Sequence, residues 1–431
     1  MSPSRTITVK SLARVEGEGA LRVRVNGEQI EIAEFNIYEP PRFFEKLLVG
    51  RAIDEVPDIV ARICGICPVA YQMTACQAIE QALGVETGPA IRALRRLLYC
   101  GEWIQSHALH VHLLHAPDFL GYQSGFTMAV DHPHLVEAGF RMKGIGNRIM
   151  EAIGGRAVHP VNIAIGGFHA WPDEAAIRGL IPELEWGLVA ALDLVTQVSR
   201  FDFPSFSPRQ DFVCLRAPHE YPFNDGRIVS SDGLDITVAD YPTQFQEQQV
   251  SWSTALHSLR IPAGTPYAVG PLARMNLCRD LLPPRAAVAA AACGLDWPVA
   301  NPFHSIVARS IEIAGAFEEA LRLARTWSGP TTPPRVPFAP REAEGCHATE
   351  APRGLLWHRY TFDSKGFVSG AAIVPPTSQN QARIEADLRA FLPQVLALDD
   401  AEATLRCEQL IRSYDPCISC ATHFLRMRVE R

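Results

Sequence analysis

The sequence is poor in positive charge and has no long apolar segment. Its 431 residues carry 40 lysines and arginines against 47 aspartates and glutamates, which gives a net charge of −7. That balance argues against a nucleic-acid partner, because such a partner requires a basic face. No apolar run reaches the roughly 18 residues of a membrane span, and the most apolar tract, residues 286–295, predicts a packed helix. Residues 1–10 also lack the apolar core of a signal peptide.

Signals of several other function classes are missing as well. The chain has no Gly-x-Gly-x-x-Gly fingerprint of a dinucleotide-binding fold, no internal repeat and no low-complexity tract. Its eleven cysteines are an odd number and lack the clustering of a disulfide framework. Seven of them are expected to be small buried apolar residues, namely Cys76, Cys100, Cys214, Cys278, Cys293, Cys346 and Cys407.

The other four cysteines form two Cys-x-x-Cys pairs near opposite ends of the chain. The first pair is Cys64 and Cys67, and the second, Cys417 and Cys420, lies almost at the C-terminus. A Cys-x-x-Cys loop lets two sulfurs bind one ion, and two such loops make a four-thiolate site suited to a soft transition metal. A fold that joins the pairs must bring both ends of the chain into one interior site.

Spacing alone leaves other interpretations of these pairs open. The first is a structural zinc site, although zinc ribbons usually place their pairs about 15–20 residues apart and a chain of this length buries a sufficient core without a metal. The second is a dithiol redox motif, for which one pair would suffice. The third is an iron–sulfur cluster, which four thiolates also hold.

The residues around the two pairs resemble the signature motifs of the nickel–iron hydrogenase large subunit. The first motif is Arg62-Ile63-Cys64-Gly65-Ile66-Cys67, and the second runs from Asp415-Pro416-Cys417 through Cys420 to His423. Further stretches in the family's order are Arg14-Val15-Glu16-Gly17, Phe43-Phe44-Glu45, His159-Pro160-Val161-Asn162, Gly166-Gly167-Phe168, Val269-Gly270-Pro271-Leu272-Ala273-Arg274, Glu350-Ala351-Pro352-Arg353-Gly354 and Pro375-Pro376-Thr377-Ser378-Gln379-Asn380. Together they cover nearly the whole chain, and their order is highly specific.

The resemblance implies an α+β, helix-rich fold with a single large-subunit domain over residues 1–431. In that fold a central bundle of long helices carries small peripheral sheets. The N- and C-terminal segments meet at a buried metal site, formed here by the motifs at residues 62–67 and 415–423.

Local patterns predict the elements of such a fold. Alternation over residues 7–34 predicts strands with a hairpin at Asn26-Gly27, and residues 360–374 predict a second hairpin that turns at Ser364-Lys365-Gly366. Helical periodicity covers residues 89–115, 135–153, 174–199, 304–326 and 381–391. The first of these helices should stop at Ala116-Pro117, and the proline-rich residues 329–340 should cross the surface.

The resemblance also implies a set of metals. The four motif cysteines would bind nickel, and the second of each pair, Cys67 and Cys420, would also bridge it to iron. In the family that iron carries carbon monoxide and cyanide, which no amino acid supplies, so dedicated maturation proteins are implied. A second, hard cation, either magnesium or iron, is expected at Glu45, His423 and the backbone carbonyl of Ile373. So few protein ligands suit magnesium, which keeps several waters.

Motif residues near the cysteines are implied to move protons and hold ligands. Dihydrogen is a very weak acid and has no polar group that a side chain could bind, so a metal must polarise it. The Cys417 thiolate would then take the proton and pass it to Glu16. Arg353 would hold anionic ligands above the open metal position, and Asp415 would share that canopy. Taken without its motif, Glu16 would be interpreted as a surface carboxylate and Arg353 as part of a surface ion pair. Asp415 would be interpreted as a turn aspartate before proline.

Ser106, His107, His110 and Pro352 are expected around the centre without binding metal. His107 and His110 are an i,i+3 pair on the predicted helix, as are the next two histidines along it. Such a spacing can bind metal, but it more often indicates histidines that are hydrogen-bonded near a core. We expect His107 and His110 to orient groups around the centre or to belong to a proton network.

Three positions depart from common family patterns. Tyr71 stands where many members have histidine, Ser106 where aspartate is usual, and Glu18 where histidine is common. Residues 62–75 are more similar to the cytoplasmic, NAD(P)-linked branch than to the membrane-bound respiratory enzymes, and this resemblance implies a cytoplasmic location. Because the chain has no further cysteine clusters for relay centres, an iron–sulfur small subunit is implied as a partner, followed by flavin- and NAD(P)-binding subunits.

The sequence therefore predicts a catalytic hydrogenase subunit that reversibly oxidises dihydrogen to two protons and two electrons. One alternative is a non-catalytic hydrogen sensor with the same motifs. Another is an ion-pump subunit like that of respiratory complex I, whose members have lost the four cysteines, and a third is the structural zinc protein. Residues 424–431 fit either a natural tail or the remnant of a processed extension, and the sequence does not decide between them.

Overall fold

The computed structural model describes residues 4–27 and 29–422, and long helices dominate it. The α-helices are α1 (Phe44–Leu48), α2 (Val56–Ala61), α3 (Pro68–Leu83), α4 (Pro89–Leu109), α5 (Ala116–Leu120), α6 (Gly125–Met128), α7 (Pro133–Gly154), α8 (Glu174–Gly179), α9 (Ile181–Val198), α10 (Tyr241–Gln244), α11 (Pro271–Cys278), α12 (Pro284–Ala292), α13 (Ser305–Thr326), α14 (Pro376–Val395), α15 (Asp400–Ser413) and α16 (Ile418–Ala421). The strands are β1 (Ser4–Val9), β2 (Gly19–Asn26), β3 (Gln29–Ile37), β4 (Ile163–Ala164), β5 (Gly167–Phe168), β6 (Val213–Arg216), β7 (Arg227–Ser230), β8 (Asp235–Ile236), β9 (Phe245–Gln248), β10 (His257–Arg260), β11 (Ala343–Ala351), β12 (Gly354–Phe362) and β13 (Val368–Val374).

Four long helices form the centre of the fold. Helix α4 packs along α7 and α13, and α13 also packs against α9. Helices α4 and α7 cross at Gly101 and Gly146, where a Cβ on Gly146 would lie 2.5 Å from the carbonyl oxygen of Gly101. Only glycine permits this backbone approach. The crossing fixes the part of α4 that carries Gln105, whose amide donates to the carbonyl of Ile66 in the first cysteine motif.

Small antiparallel sheets surround the helices, and both predicted hairpins are confirmed. The strands β1–β2–β3, β6–β7–β8 and β11–β12–β13 form three meanders, and β4–β5 and β9–β10 are two-stranded. Asn26 pairs with Gln29 across the first hairpin. Strands β12 and β13 pair around the second, where Gly366 and Phe367 hydrogen-bond with Asp363. The helix-rich α+β class predicted from the sequence is therefore the observed one.

Two apolar clusters explain how the chain ends come together. The largest contains the helix bundle and all four motif cysteines. The second joins the N-terminal sheet, through residues such as Leu21 and Phe35, to Leu388 of α14 and Leu410 of α15. Burying these apolar faces against each other stabilises the contact between the first and last segments, and α16 follows α15 directly into the centre.

Two predicted helix boundaries are wrong. The helix from residue 89 does not stop at Ala116-Pro117, because a wider π-type turn over His110–His115 carries it into α5. Pro117 then lies in the first turn of α5, where its missing N–H costs little. The helix over residues 174–199 is divided into α8 and α9, since Pro182 lacks the N–H that would continue the ladder. The tract at 286–295 lies largely in α12, and residues 329–340 cross the surface without a helix or strand.

No helix among the described residues is both long and apolar enough to cross a membrane. The division of the chain into one domain stays a prediction.

Candidate metal centre

The four motif cysteines come together in the core. All four are buried, and their sulfur atoms lie within 4.8 Å of one another. Across the two motifs, the Cys64 and Cys417 sulfurs are 3.4 Å apart and the Cys67 and Cys420 sulfurs 3.7 Å apart. Within residues 4–27 and 29–422 this is the single group of three or more histidine, cysteine or acidic side chains placed to hold a metal.

Backbone geometry directs these sulfurs inward. Cys67 immediately precedes α3, which Pro68 opens, and Cys417 immediately precedes α16. The sulfur of Cys64 accepts hydrogen bonds from the backbone N–H groups of Ile66 and Cys67, both at 3.3 Å. Such donors favour the thiolate over the thiol.

The four sulfurs cannot all ionise at this spacing without a cation. Hydrogen bonding to Cys417 and Cys420 holds the pKa of Cys64 well below its ordinary value. Hydrogen bonding to Cys420 and Cys64 instead raises the pKa of Cys417 well above its own, and burial raises the pKa of Cys420. A bound metal ion would neutralise the thiolates and reverse this preference. The all-sulfur donor set fits a soft metal such as nickel or iron.

Glu16 lies directly against the second cysteine pair. Its Oε2 is 3.2 Å from the Cys417 sulfur and accepts the backbone N–H of Ser419 at 3.1 Å. The Glu16 carbonyl also accepts the N–H of Ile418 at 3.0 Å, in a parallel bridge between residues 16 and 417. The Cys417 sulfur is fully buried, whereas the Glu16 side chain is partly exposed, so Glu16 lies between the sulfur and the surface.

Arg353 and Asp415 form a buried ion pair beside the cysteines. Arg353 donates from Nε to the Asp415 carbonyl at 2.8 Å, from Nη2 to Asp415 Oδ1 at 3.1 Å, and from Nη1 to Ser106 Oγ at 3.5 Å. Burial alone would lower the pKa of Arg353, but the charges of Asp415 and Cys417 raise it well above its ordinary value. The preceding residue, Pro352, is held by its carbonyl, which accepts Arg274 Nη2 at 2.9 Å.

The two predicted histidines lie in different surroundings. His110 Nε2 is 2.9 Å from the Arg412 carbonyl and 3.9 Å from Asp415 Oδ1, so it backs the ion pair. His107 Nε2 lies 3.1 Å from Glu312 Oε2 in a separate charged cluster. Burial lowers the pKa of His107 to about 4 and that of His110 well below its ordinary value, so both are neutral at pH 7.

Among residues 4–27 and 29–422, four non-glycine residues have a positive φ, and all four lie in stretches that carry the family resemblance. They are Arg14 (φ 61), Phe43 (φ 56), His159 (φ 51) and Asp415 (φ 50). A non-glycine residue in this region is uncommon, and such strained positions cluster at functional sites. At Asp415 the turn places the backbone carbonyl and side chain on Arg353 together.

Sequence reasoning missed the groups that support the first cysteine motif. The buried carboxylate of Glu102 accepts the N–H groups of Val69 and Ala70 at 2.6 and 3.1 Å, which caps α3 directly after Cys67. Burial raises the pKa of Glu102 well above its ordinary value. Its i,i+4 spacing from Ser106 was a signal that both face the same side of the helix.

Arg42 joins the two cysteine motifs and was also missed. Its Nη2 donates to the Ile63 carbonyl at 2.6 Å and to the Ser419 carbonyl. Its backbone N–H donates to the Thr422 carbonyl at 2.7 Å. One side chain therefore holds the residue before the first cysteine and the residue before the last one. Its place just before Phe43 in a motif was the available signal.

A buried charged cluster lies behind the ion pair. Arg274, which has no exposed surface, binds both Glu312 oxygens at 2.7 Å and Glu350 Oε2 at 2.8 Å. Despite burial, Arg274 holds the pKa of Glu312 down to about 2, whereas burial raises the pKa of Glu350 to about 7. The cluster links His107 to the carbonyl of Pro352 and so fixes the segment that presents Arg353.

Part of the predicted second cation site is described. Glu45 Oε1 accepts the backbone N–H of Ile373 at 2.7 Å, so the two residues are in contact. His423, the third predicted ligand, lies outside the described residues. Cation binding at Glu45 and Ile373 stays a prediction.

Tyr71, which replaces the common histidine, faces the cysteines from α3. Its side chain is fully buried one helical turn after Cys67. Burial raises the pKa of its hydroxyl well above the ordinary value, and the nearby Cys420 and Cys67 raise it further. The phenol therefore stays protonated beside the sulfur cluster.

Comparisons with known proteins give the same picture over the whole chain. The profile of the nickel-dependent hydrogenase family matches residues 42–132 and 315–423. The α subunit of sulfhydrogenase 1 from Pyrococcus furiosus is 31% identical over 435 residues, which cover 98% of this chain and 98% of that protein. The β subunit of the NAD-reducing hydrogenase HoxS from Cupriavidus necator is 27% identical over 477 residues, covering 98% of this chain and 95% of that protein.

The fold is similar to that of a solved structure as well. An NAD+-reducing NiFe hydrogenase in the H2-reduced state superposes with a TM-score of 0.88 at 26% identity, covering 97% of this chain and 99% of that chain. This agreement confirms the large-subunit fold expected from the sequence.

Proposed function

The chain belongs to the nickel-dependent hydrogenase family, and we propose that it is the catalytic large subunit of a nickel–iron enzyme that reversibly cleaves dihydrogen into two protons and two electrons. The observation that carries the proposal is the buried cluster of four cysteine sulfurs with Glu16 Oε2 3.2 Å from one of them. A structural zinc site would need the sulfurs but would not need a carboxylate directed at one of them.

The residues around the cluster fit a nickel–iron centre with bound carbon monoxide and cyanide. Cys64, Cys67, Cys417 and Cys420 would hold nickel, and Cys67 and Cys420 would be shared with iron. When bound, the centre supplies a soft, electron-rich site at which dihydrogen is polarised. The buried guanidinium of Arg353 offers a rigid, permanently charged group for anionic ligands such as cyanide.

The chain's own residues then handle the proton. Cys417 Sγ is the sulfur in contact with Glu16, so a proton held on that sulfur passes to Glu16 Oε2 across 3.2 Å. Asp415 keeps Arg353 in place through both its backbone carbonyl and its carboxylate. The Ser106 hydroxyl accepts from the same arginine, and the bond from Arg274 to the Pro352 carbonyl anchors the main chain just before it. Neutral His110 lies behind Asp415.

We further propose that Glu45, the carbonyl of Ile373 and His423 hold a magnesium or iron ion. The contact between Glu45 and the Ile373 backbone supports this, because it places the carboxylate beside the residue whose carbonyl is a proposed ligand. A hard cation with few protein ligands and several waters suits such a site.

The electrons are proposed to leave through an iron–sulfur small subunit and flavin-containing partners to NAD(P), in the cytoplasm. Two NAD-reducing hydrogenases among the relatives support the acceptor. A sulfhydrogenase subunit matches at 31% identity, so a sulfur acceptor belongs in the same assay. Insertion of the carbon monoxide and cyanide ligands is proposed to need maturation proteins.

The first test is infrared spectroscopy on the natively purified complex, with nickel and iron quantified on the same sample. Sharp bands of metal-bound carbon monoxide and cyanide, with about one nickel per chain as four thiolates predict, are the expected result. Zinc in place of nickel, even after co-expression of the maturation proteins, would overturn the proposal. Rapid reduction of NAD(P) by hydrogen would support the enzyme, and negligible turnover with every acceptor would favour the hydrogen sensor.

A further inference from the structure

A second carboxylate, that of Glu39, lies next to the chain segment that carries Glu16. Glu39 follows β3, and its side chain is partly exposed. Its Oε2 accepts the Ser419 hydroxyl at 3.2 Å and lies 3.4 Å from the backbone N–H of Glu18, which donates to it. These contacts hold the carboxylate at the edge of the metal centre.

Ser419 connects Glu39 to Glu16. Its backbone N–H donates to Glu16 Oε2 at 3.1 Å, and its hydroxyl donates to Glu39 Oε2 at 3.2 Å. The same Glu16 oxygen lies 3.2 Å from the Cys417 sulfur. A single residue therefore bridges the two carboxylates, and the first of them touches the buried sulfur.

The Glu39 carboxylate occupies space that is free because Gly17 has no side chain. Gly17 has φ +87, and a Cβ added there would lie 2.7 Å from Glu39 Oε2 and 2.7 Å from Ile418 Cβ. Any other residue would therefore displace the Glu39 carboxylate and strain the backbone. The glycine leaves a notch beside Glu16, and the carboxylate fills it.

The carboxylates of Glu16 and Glu39 have no ion-pair partner among the described residues. In the part of the chain that the structure describes, no lysine, arginine or histidine forms a salt bridge with Glu16 or Glu39, although many other acidic residues have such partners. A carboxylate that contacts a hydroxyl and an amide, but no fixed cation, is able to take and release a proton without breaking an ion pair. Exposure also rises along the series, from the fully buried Cys417 to the two partly exposed acids.

We propose that Glu39 receives the proton after Glu16, with Ser419 holding the two carboxylates next to each other. This inference rests on the proposed function, because it extends the exit of the proton that hydrogen cleavage produces. The O–H bond of the Glu16 carboxyl breaks and an O–H bond to the Glu39 carboxylate forms, while the N–H and the hydroxyl of Ser419 hold the two carboxylates beside the same residue. One O–H bond breaks and one forms at each transfer, no electron moves, and Glu39 releases the proton at the surface of this chain.

The test uses the complete complex with Glu39→Gln, which keeps the size and the hydrogen bond of the side chain but cannot carry a proton. Hydrogen oxidation is expected to fall at least tenfold, since a positioned acid or base contributes about 10²–10⁴-fold. Glu39→Asp should restore part of the rate. The matched control is Glu18→Gln, which removes a carboxylate from an exposed side chain on the same loop.

A spectroscopic readout separates a proton carrier from a merely structural residue. Infrared difference spectra between hydrogen- and inert-gas-equilibrated samples should contain a carboxyl C=O band that is lost in Glu39→Gln and retained in Glu18→Gln. The solvent deuterium isotope effect on hydrogen oxidation should rise only in Glu39→Gln. If Glu39→Gln matches Glu18→Gln in rate, isotope effect and carboxyl band, the relay is overturned.

The same samples distinguish failure of the relay from failure of the proposed function. Nickel content and the carbon monoxide and cyanide bands are measured first in the unmodified complex. Their absence would remove the proposed function itself. If they are present and are unchanged in Glu39→Gln, the rate of hydrogen oxidation and the carboxyl band then test the relay alone.

Discussion

The carboxylate of Glu16 lies 3.2 Å from the sulfur of Cys417, although 401 positions separate the two residues. Main-chain pairing holds them together, because the N–H of Ile418 donates to the Glu16 carbonyl in a parallel bridge. The acid is therefore positioned by the backbone and not by a flexible side chain alone. A metal centre with one carboxylate so placed is equipped to move a proton.

Replacing Glu16 by glutamine should block proton transfer without disturbing the metal site. The amide retains the hydrogen bond to the N–H of Ser419 but cannot accept the proton held by Cys417. Hydrogen oxidation is expected to fall by about 10²–10⁴-fold, whereas nickel content and the carbon monoxide and cyanide bands should stay unchanged. A variant with normal turnover would show that the proton leaves by another route.

Replacing Cys420 by serine should abolish nickel binding. A serine hydroxyl does not ionise near neutral pH and is a hard donor, so the site would lose one of four soft ligands. Nickel measured by elemental analysis should fall to a small fraction of that in the parent complex. Cys293→Ser is the control, because Cys293 lies in another part of the core and donates to the Ala290 carbonyl, as serine also can. Equal nickel in both variants would contradict the four-cysteine site.

Replacing Arg353 by lysine should impair the reaction although the charge is kept. Arginine contacts the Asp415 carbonyl, the Asp415 carboxylate and the Ser106 hydroxyl at once, and a single ammonium cannot reproduce this fork. We expect kcat to fall by roughly 10²-fold, the usual cost of one preorganised donor. The cyanide bands should shift, since the role proposed for this guanidinium is to hold those ligands. Unaltered bands and kcat would remove Arg353 from the centre.

Replacing Arg274 by methionine should destabilise the fold. Glu312 and Glu350 would remain buried without their cation, which typically costs about 3–5 kcal/mol. Arg325→Met is the matched control, because that arginine pairs with Glu185 at an exposed site and such a pair contributes less than about 1 kcal/mol. Thermal unfolding of both variants measures the difference, and equal midpoints would contradict a buried network.

Acid should destabilise the protein through its buried histidines. Burial lowers the pKa of His107 and His112 to about 4, against about 6.5 in an unfolded chain. Because the folded pKa is the lower one, the stability is complete above pH 6.5 and is lost as the pH falls toward 4. At pH 5 each histidine should cost about 2 kcal/mol relative to pH 7.

The variant His112→Asn checks this pH dependence. Asparagine can keep the hydrogen bond that His112 Nδ1 makes with the Leu135 carbonyl, but it does not titrate. The difference in unfolding free energy between pH 7 and pH 5 should shrink by about 2 kcal/mol. His134→Asn, at a side chain that is 98% exposed, should leave it unchanged. If the difference in unfolding free energy between pH 7 and pH 5 were the same in both variants, buried histidines would not be the cause of the loss of stability in acid.

The sequence predicted the parts of the centre that depend on short spacing. Two residues between paired cysteines allow both sulfurs to reach one ion, so Cys64 with Cys67 and Cys417 with Cys420 were visible as ligand pairs. The hairpins were visible for a similar reason, since turn residues act over a few positions. The helix ending at Ala116 was predicted wrongly because a wider turn over His110–His115 is a local deviation without a sequence signature.

The supporting groups could not be predicted, because their partners are remote in the chain. Glu102 caps α3 from 33 positions away, Arg274 meets Glu350 across 76, and Arg42 reaches Ser419 across 377. Whether such side chains meet depends on how whole helices and sheets pack, and no local pattern encodes that. The notch that places Glu39 beside Ser419 likewise exists only where Gly17 and Ile418 come together.

The sequence by itself determined the donor chemistry: four cysteines in two pairs, with acids and an arginine in recognisable motifs. Covalent spacing fixes these, since each motif acts within a few residues. The tertiary structure decided which acid faces which sulfur and what holds Arg353 in place. These are distances through space, and burying the N-terminal sheet against α14 and α15 sets them by closing the two ends of the chain around one interior site.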